Sequence, residues 1–248
     1  MIKKLVIIPT YNERENVEAM IDIVMNLPLH TDLLIIDDNS PDGTAELVKN
    51  AQSRYPDRLH ILEREGKLGL GTAYIAGFKY ALDNGYDYIF EMDCDFSHNP
   101  EDLQRLFDEC ETNKADVAIG SRYKSGVNVV NWPMGRVLMS YFASKYVRFV
   151  TCLPVNDTTA GFVCYKSDVL RAFDLDKIRF KGYAFQIEMK FTAYKLGFKI
   201  AEVPIVFTNR VLGTSKMNGR IFCDAFFGVI SMKLRSVFKK YERKNNNS

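Results

Sequence analysis

Two carboxylates stand one residue apart at Asp93 and Asp95, directly after the predicted strand 88–92. The residues of this strand are mostly apolar, as expected of a buried strand, so we expect both carboxylates at its end. Carboxylate oxygens bind divalent cations, and a divalent ion here would neutralise the charge of a departing diphosphate. Because this spacing is common in loops, the position after a strand is the stronger part of the indication.

A second acidic pair, Asp37 and Asp38, follows the apolar run 33–36. Carboxylates at a strand end can accept hydrogen bonds from a nucleotide base or its ribose. They can equally cap the turn that leads into the next helix. The residues by themselves leave both roles open.

Two further loops carry polar groups that suit a nucleotide. Residues 9–13 end the apolar run 5–9 and offer an aromatic ring and a carboxylate, although the segment could instead be a helix start capped by Asn12 or Asn16. Residues 66–71 contain three glycines and Lys67, which could bring backbone N–H groups and an ammonium to a phosphate. This loop is not a Walker A motif, because no Gly-Lys-Ser/Thr sequence closes it.

Apolar runs alternate with helical patterns through the first half of the chain. This alternation predicts an α/β protein with a mostly parallel, doubly wound sheet, whose ligands lie beyond the carboxyl ends of the strands. The predicted strands are 5–9, 33–36, 59–62, 88–92 and 117–120, and the predicted helices are 16–26, 44–53 and 72–84. The polar clusters therefore share one edge of the predicted sheet.

The pattern changes after Arg122. Helices are predicted at 132–150 and 182–195, and the strand-like run 200–207 is broken by Pro204. The last predicted helix, 219–241, is amphipathic with basic residues toward its end. The composition of residues 244–248 predicts a disordered tail.

Charge divides the chain into two unlike halves. Residues 1–116 hold 23 Asp and Glu against 11 Lys and Arg, whereas residues 117–248 hold 8 against 22. Neither 117–156 nor 203–223 contains an acidic residue. An acidic half suits metal chemistry, and basic stretches without acids suit phosphate groups or an anionic membrane, although ordinary solvated surfaces would give the same pattern.

Several protein classes are disfavoured by composition. The 248 residues suit one domain with appendages, and no apolar run is long enough to span a membrane. The N-terminal apolar run meets Pro9 too early for a signal peptide. The five cysteines form no CxxC pair, which favours a reducing compartment over a disulfide framework or a zinc site. We therefore expect a cytoplasmic protein.

Eight short segments, spread over nearly the whole chain, match the motifs of one known family in order. They are 8–13 (IPTYNE), 37–44 (DDNSPDGT), 66–74 (GKLGLGTAY), 92–98 (MDCDFSH), 120–123 (GSRY), 157–162 (DTTAGF), 183–188 (YAFQIE) and 210–216 (RVLGTSK). Their order is specific where each segment alone is not. The chain resembles the inverting glycosyltransferases of GT-A fold, and among them the polyprenol-phosphate (dolichol-phosphate) mannose synthases.

The resemblance implies transfer of mannose from GDP-mannose to a polyprenyl monophosphate, with Mg²⁺ or Mn²⁺ as cofactor. The donor would be held by residues of five of these segments and by Ile36, which precedes one of them. These residues are Pro9, Tyr11, Glu13, Ile36, Asp38, Lys67, Cys94 and Lys216. The metal ligands would be Asp93, Asp95 and Ser97, where the family often has glutamine at the third position. The acceptor phosphate would meet Arg122, Arg136, Ser140 and Arg210, and the catalytic set would be Asp93, Asp95, Arg122 and Arg210.

A phosphate acceptor simplifies the expected chemistry. A lipid monophosphate with a second pKa of about 6 is already largely anionic at neutral pH and can attack the sugar without a general base. Arginine forks suit such a group, because they bind phosphate bidentately. Asp157 stands where related transferases with alcohol acceptors place a base, and here we interpret it as sugar-binding or structural.

The resemblance also implies a membrane surface, since a polyprenyl chain stays in the bilayer. We expect a catalytic domain over 1–216, with an interfacial segment at about 131–151, and an amphipathic helix over 217–243. The protein would be peripheral on the cytoplasmic face. Both basic segments could instead pack as core helices. Three alternatives stay open: another donor such as UDP-glucose, a polysaccharide acceptor, or nucleotide-sugar binding without catalysis. Nucleic-acid binding is disfavoured, because the basic half contains no recognisable nucleic-acid-binding motif.

Overall fold

The computed structural model describes residues 2–182, 184–210, 219–238 and 241–244, with residues 219–225 described by their backbone. The strands are β1 (Lys4–Thr10), β2 (Asp32–Asp37), β3 (Leu59–Glu63), β4 (Tyr88–Glu91), β5 (Val117–Ser121), β6 (Val129–Val130), β7 (Val163–Lys166), β8 (Ile200–Pro204) and β9 (Phe207–Thr208). Seven of them form one sheet in the order β3-β2-β1-β4-β7-β5-β8, and β6 pairs with β9.

Helices connect these strands. They are α1 (Val17–Met25), α2 (Thr44–Gln52), α3 (Leu70–Asp83), α4 (Asp102–Glu111), α5 (Met134–Thr151), α6 (Ser167–Arg171), α7 (Ala184–Lys195) and α8 (Gly219–Phe238), with one 3-10 turn at Leu175–Lys177. The predicted α/β fold with a mostly parallel sheet is confirmed. The predicted tail begins at Lys244, and its residues 245–248 lie outside the described residues.

The strand register brings the predicted polar loops to one edge of the sheet. β1 lies between β2 and β4 and runs parallel to both, so Thr10 is level with Asp37, and Ile7 is level with Glu91. β5 and β8 are parallel to each other, while β7 is inserted antiparallel between β4 and β5. The carboxyl ends of β1, β2, β4 and β5 therefore point the same way. The sequence analysis predicted neither β7 nor α4.

Both faces of the sheet are covered, which explains the continuous apolar runs. Alternate side chains of β1 point to opposite faces. Leu5 and Ile7 join a core built on α3 and α7, whereas Val6 and Ile8 join a core built on α1 and α4. Full burial of each such side chain stabilises the fold by about 1.5–3 kcal/mol.

Two prolines set element boundaries that differ from the predicted ones. Pro133 has an extended ψ of 139° and precedes α5, so that the helix begins at Met134 instead of at residue 132. Trp132 is thereby left in the preceding loop. Pro204 ends β8, and the chain then pairs again only at β9. Among the described residues, no helix combines the length and apolarity needed to cross a bilayer.

Candidate active site

Strained backbone marks the loops that follow three of the central strands. Asn12, Asn39 and Phe96 have φ values of 54°, 57° and 58°, a region that residues other than glycine adopt rarely. They follow β1, β2 and β4. Conformations of this kind cost about 1–3 kcal/mol each and cluster at functional sites.

The two carboxylates at the end of β2, Asp37 and Asp38, have different hydrogen-bond partners. Asp37 accepts hydrogen bonds from Thr10 Oγ1 at 2.9 Å and from Ser40 Oγ at 2.6 Å, so it ties the loops after β1 and β2 together. Asp38 accepts a hydrogen bond from Arg64 Nε at 2.6 Å. Burial raises the pKa of Asp38, although the Arg64 charge opposes this shift.

The other described donor-binding candidates lie in β1 and β2 or in the loops that follow β1, β3 and β4. Lys67 Nζ lies 5.0 Å from the ring centroid of Tyr11, and Glu13 Oε2 accepts a hydrogen bond from Asn16 at 2.9 Å. Pro9 is half-buried, whereas Ile36 and Cys94 are buried. Lys216 lies outside the described residues. A role in nucleotide binding stays a prediction for this group.

The carboxylates after β4 form the acidic centre of the site. Asp95 Oδ2 lies 2.7 Å from Arg210 Nη2, and Asp95 Oδ1 accepts a hydrogen bond from Ser97 Oγ at 2.5 Å. The side chain of Asp93 is 40% exposed. Desolvation at the crevice wall and the nearby Asp95 carboxylate raise the pKa of Asp93 to about 7. Negative charge is therefore concentrated here.

These oxygen donors fit a divalent cation that also binds a diphosphate. Among the described residues, no group of three or more His, Cys, Asp or Glu side chains could hold a metal by itself. Mg²⁺ commonly takes one or two carboxylates and completes its shell with substrate phosphate oxygens and water. Asp93 and Asp95 supply such a pair of carboxylates.

His98 is a site residue to which the sequence analysis gave no role. Its ring is 3% exposed and stacks on Phe162 with centroids 4.9 Å apart. Its Nδ1 accepts the backbone N–H of Asp93 at 3.4 Å. Burial lowers the pKa of His98 to about 4, so the ring is neutral at physiological pH and holds the Asp93 backbone in place. The signal for it was its position three residues after Asp95.

Arg122 is held in a fixed position by Asp157. The Nε and Nη2 atoms of Arg122 donate to the two carboxylate oxygens at 2.7 and 2.6 Å, and Nη2 also donates to Thr159 Oγ1 at 2.9 Å. Arg122 is 5% exposed, and the Trp132 and Phe207 rings lie 5.6 and 5.5 Å from its guanidinium carbon. Burial opposes ionisation, but the Arg122 charge and hydrogen bonds keep the pKa of Asp157 below its usual value.

Of the other predicted phosphate-binding residues, Arg136 contacts the same indole ring. The guanidinium carbon of Arg136 is 4.0 Å from the Trp132 ring centroid, and its Nη1 donates to Asn209 Oδ1 at 2.9 Å. Arg210 follows Asn209 in the chain, and Ser140 lies beside Tyr123. Segments far apart in the sequence are thus brought together.

One pocket joins the acidic and the basic groups. Its described lining residues are Leu70, Tyr74, Asp93, His98, Gly120, Arg122, Trp132, Arg136, Thr159, Ala160, Gly161, Gly182, Gln186, Ile205 and Phe207. The sequence analysis assigned Asp93, Arg122 and Arg136 to the site but missed Trp132, Phe207 and Gln186. Gln186 lies in the segment 183–188 that carried the family resemblance but was given no role there, whereas Phe207 lies in no such segment.

The Arg122–Asp157 pair gives a stability prediction. Replacing Asp157 with asparagine leaves the buried Arg122 charge without its carboxylate, so we expect the free energy of unfolding to fall by about 3–5 kcal/mol in urea denaturation. The exposed Asp83→Asn change is the matched control.

The same pair gives a pH dependence. Because the folded-state pKa of Asp157 is lowered, the wild-type ion pair stabilises the fold above pH 3.8, the ordinary value. This stabilisation is lost as the pH falls through the lowered pKa. An Asp157→Asn protein as stable as the control would contradict the assignment.

The family model described as glycosyl transferase family 2 matches residues 5–173. The chain belongs to glycosyltransferase family 2. Two curated relatives match over most of their length. Polyprenol monophosphomannose synthase of Mycolicibacterium smegmatis is 45% identical over 94% of this chain and 88% of the relative. Undecaprenyl-phosphate mannosyltransferase of Micrococcus luteus is 45% identical over 92% of this chain and 93% of the relative.

Solved structures support the fold of this family 2 glycosyltransferase. Glucosyl-3-phosphoglycerate synthase of Mycobacterium tuberculosis, in complex with Mn²⁺, UDP-glucose and phosphoglyceric acid, matches with a TM-score of 0.67 and 19% identity. The match covers 94% of this chain and 79% of that one. A second structure of the same synthase, with Mn²⁺ and UDP-glucose, has a TM-score of 0.66. The predicted GT-A fold is therefore confirmed.

Proposed function

We propose that this glycosyltransferase moves mannose from GDP-mannose to a polyprenyl monophosphate, with inversion at the anomeric carbon. The observation that carries the proposal is the pocket in which Asp93 lies with two guanidinium groups, those of Arg122 and Arg136. The names of the two curated relatives favour mannosyl transfer to a polyprenyl phosphate.

At the donor end, the proposal assigns the nucleotide to the loops after β1, β2 and β3. Tyr11 and Lys67 would flank it, and Asp38 would contact the nucleoside. Asp93 and Asp95 would hold Mg²⁺ or Mn²⁺, which when bound stabilises the charge of the leaving diphosphate. Complexes of the GT-A neighbour with Mn²⁺ and UDP-glucose are consistent with this donor chemistry.

At the acceptor end, the geometry favours positioning over base catalysis. Both oxygens of Asp157 accept hydrogen bonds from Arg122, and the lowered pKa makes this carboxylate a poor proton acceptor. A phosphate monoester already carries its negative charge, so Arg122, Arg136 and Arg210 need only orient it for attack. Asp157 therefore holds Arg122 in place.

Two helices support the proposed contact with a membrane surface. α5 and α8 pack against each other, with the Tyr146 and Phe226 rings stacked 4.5 Å apart. Both expose large apolar side chains, namely Leu138, Met139, Phe142 and Phe149 on α5 and Phe227, Leu234, Val237 and Phe238 on α8. An apolar patch with basic neighbours is typical of a helix that lies in the lipid interface. The protein would work peripherally, on the cytoplasmic face.

The proposed reaction is tested directly by product formation. Purified protein is incubated with GDP-mannose, Mg²⁺ and a short polyprenyl phosphate, and the products are analysed by mass spectrometry for a lipid-linked hexose. We expect a β-linked polyprenyl phosphate mannose. Equal or faster transfer from UDP-glucose, or transfer only to a polysaccharide, would overturn this assignment of substrates.

The membrane contact gives a separate prediction. Replacing Phe142 and Phe227 with aspartate removes apolar area and adds charge to the exposed faces of α5 and α8. We expect at least tenfold weaker co-sedimentation with vesicles of anionic lipid, and unchanged transfer to a short acceptor that is soluble in water. Replacing exposed Ile23 of α1 with aspartate is the control. Unchanged vesicle binding of the double variant would contradict the proposed surface.

A further inference from the structure

A buried polar network lies against the pocket, and the chemistry above gives it no role. Lys190 is fully buried, and its Nζ donates to the Ala160 carbonyl at 2.6 Å and to Gln186 Oε1 at 3.2 Å. Gln186 Nε2 donates in turn to Glu91 Oε2 at 2.5 Å. Gln186 itself lines the pocket with Asp93. The network therefore connects the pocket wall to β4 and α7.

Stability alone does not explain such a network. Burying a lysine and a glutamate carries a large desolvation cost, and apolar side chains of similar volume often give an equally stable fold. What the network does fix is the orientation of one amide. The ammonium of Lys190 requires an acceptor, which places Oε1 of Gln186 toward it, and the Glu91 oxygen receives Nε2.

The location of Gln186 indicates what this amide contacts. On the proposed function, the transferred hexose lies between the metal-binding Asp93 and the phosphate-binding Arg122, which both line the pocket. Two other polar side chains of the wall are engaged, since His98 Nδ1 accepts from the Asp93 backbone and Thr159 Oγ1 accepts from Arg122. Among the described residues that line the pocket, Gln186 is the one with a side-chain amide.

We propose that Gln186 is a specificity-determining residue that hydrogen-bonds a hydroxyl group of the donor hexose, and that Lys190 and Glu91 position its amide. An amide has two N–H hydrogens and two carbonyl lone pairs, and the network uses one of each. A fixed amide discriminates between epimers, because the wrong hydroxyl orientation leaves a buried polar group unpaired. The inference rests on the proposed function and adds the residue that selects the sugar.

The experiment separates sugar contacts from nucleotide contacts. Affinities for GDP and for GDP-mannose are measured by titration calorimetry with Mg²⁺ and without acceptor, for the wild type and for Gln186→Leu. One neutral hydrogen bond corresponds to about a three- to tenfold change in affinity. We expect this loss for GDP-mannose and an unchanged affinity for GDP. Lys190→Met should also weaken GDP-mannose alone, because the amide then loses its fixed orientation.

The affinities for GDP and GDP-mannose distinguish a sugar contact of Gln186 from a structural role. Equal losses for GDP and GDP-mannose would indicate a structural role and overturn it, as would a Gln186→Leu protein with the wild-type ratio of the two affinities. Gln186→Glu, which keeps the side-chain shape, gives the same test if the leucine variant fails to fold. The exposed Gln104→Ala change on α4 is the control. If the wild type binds a UDP-sugar instead of GDP-mannose, the proposed donor is wrong. The role of Gln186 is then tested by the affinities for that UDP-sugar and for UDP.

Discussion

Replacing Asp95 with asparagine should reduce transfer by about 10³-fold or more, which corresponds to ~4 kcal/mol of transition-state stabilisation. Asp95 lies in the loop after β4, and its Oδ2 is 2.7 Å from Arg210 Nη2. The carboxylate therefore already binds one cationic group in this structure. Asparagine keeps the shape and removes the charge that a divalent ion requires. The measurement is the initial rate of lipid-linked product at saturating Mg²⁺.

Three further measurements make the Asp95→Asn result interpretable. GDP affinity in the presence of EDTA should stay within about twofold of the wild-type value, because one carboxylate contact to the metal accounts for the loss. The melting temperature should change little, and Asp83→Asn, an exposed aspartate at the end of α3, should behave as wild type. Transfer within tenfold of the wild-type rate would rule out Asp95 as a metal ligand.

Replacing Arg136 with alanine should raise the KM for polyprenyl phosphate by about 10- to 100-fold, with the KM for the donor nearly unchanged. A charge-assisted hydrogen bond contributes about 1.5–3 kcal/mol, and Arg136 lies in the pocket with its guanidinium 4.0 Å from the Trp132 ring. This variant tests the acceptor site more cleanly than Arg122→Ala does, because loss of Arg122 would leave the buried Asp157 charge unpaired.

The comparison with lysine sharpens the test of Arg136. Arg136→Lys keeps the charge but loses the planar fork, so we expect a KM for the acceptor between those of the wild type and the alanine variant. Arg54→Ala, on the exposed surface near α2, is the control. If donor and acceptor KM rise equally in Arg136→Ala, then the residue serves the whole pocket and the assignment to the acceptor phosphate is wrong.

Local sequence patterns were sufficient for strands β1 to β5 and helices α1 to α3, although they missed α4. The run 5–9 alternates its side chains between two apolar cores, and burial on both faces is recorded in the sequence as a continuous apolar stretch. The run that precedes Asp93 is apolar except for Glu91, which is itself buried. Since parallel strands end at one edge, the position of Asp93 near the loop after β1 followed without coordinates.

Pairing across long sequence separations was beyond such patterns. Strand β7 is four residues long, and only its neighbours β4 and β5 make it part of the sheet. Trp132 was predicted inside a helix, but Pro133 ends the loop there and leaves the indole beside two guanidinium groups. The strand pairing and the guanidinium contacts lie outside a local window, whereas Pro133 lies within it and restricts the backbone of Trp132.

The sequence by itself therefore determined the fold class, the edge of the sheet that carries the site, and the acidic motif at Asp93 and Asp95. The tertiary structure alone decided which partner each charged group has. Asp157 holds Arg122 from 35 residues away, and Gln186 reaches Glu91 across 95 residues. Periodicity and turn chemistry act over a few residues, whereas the pairing of buried charges depends on chain segments that meet only after folding.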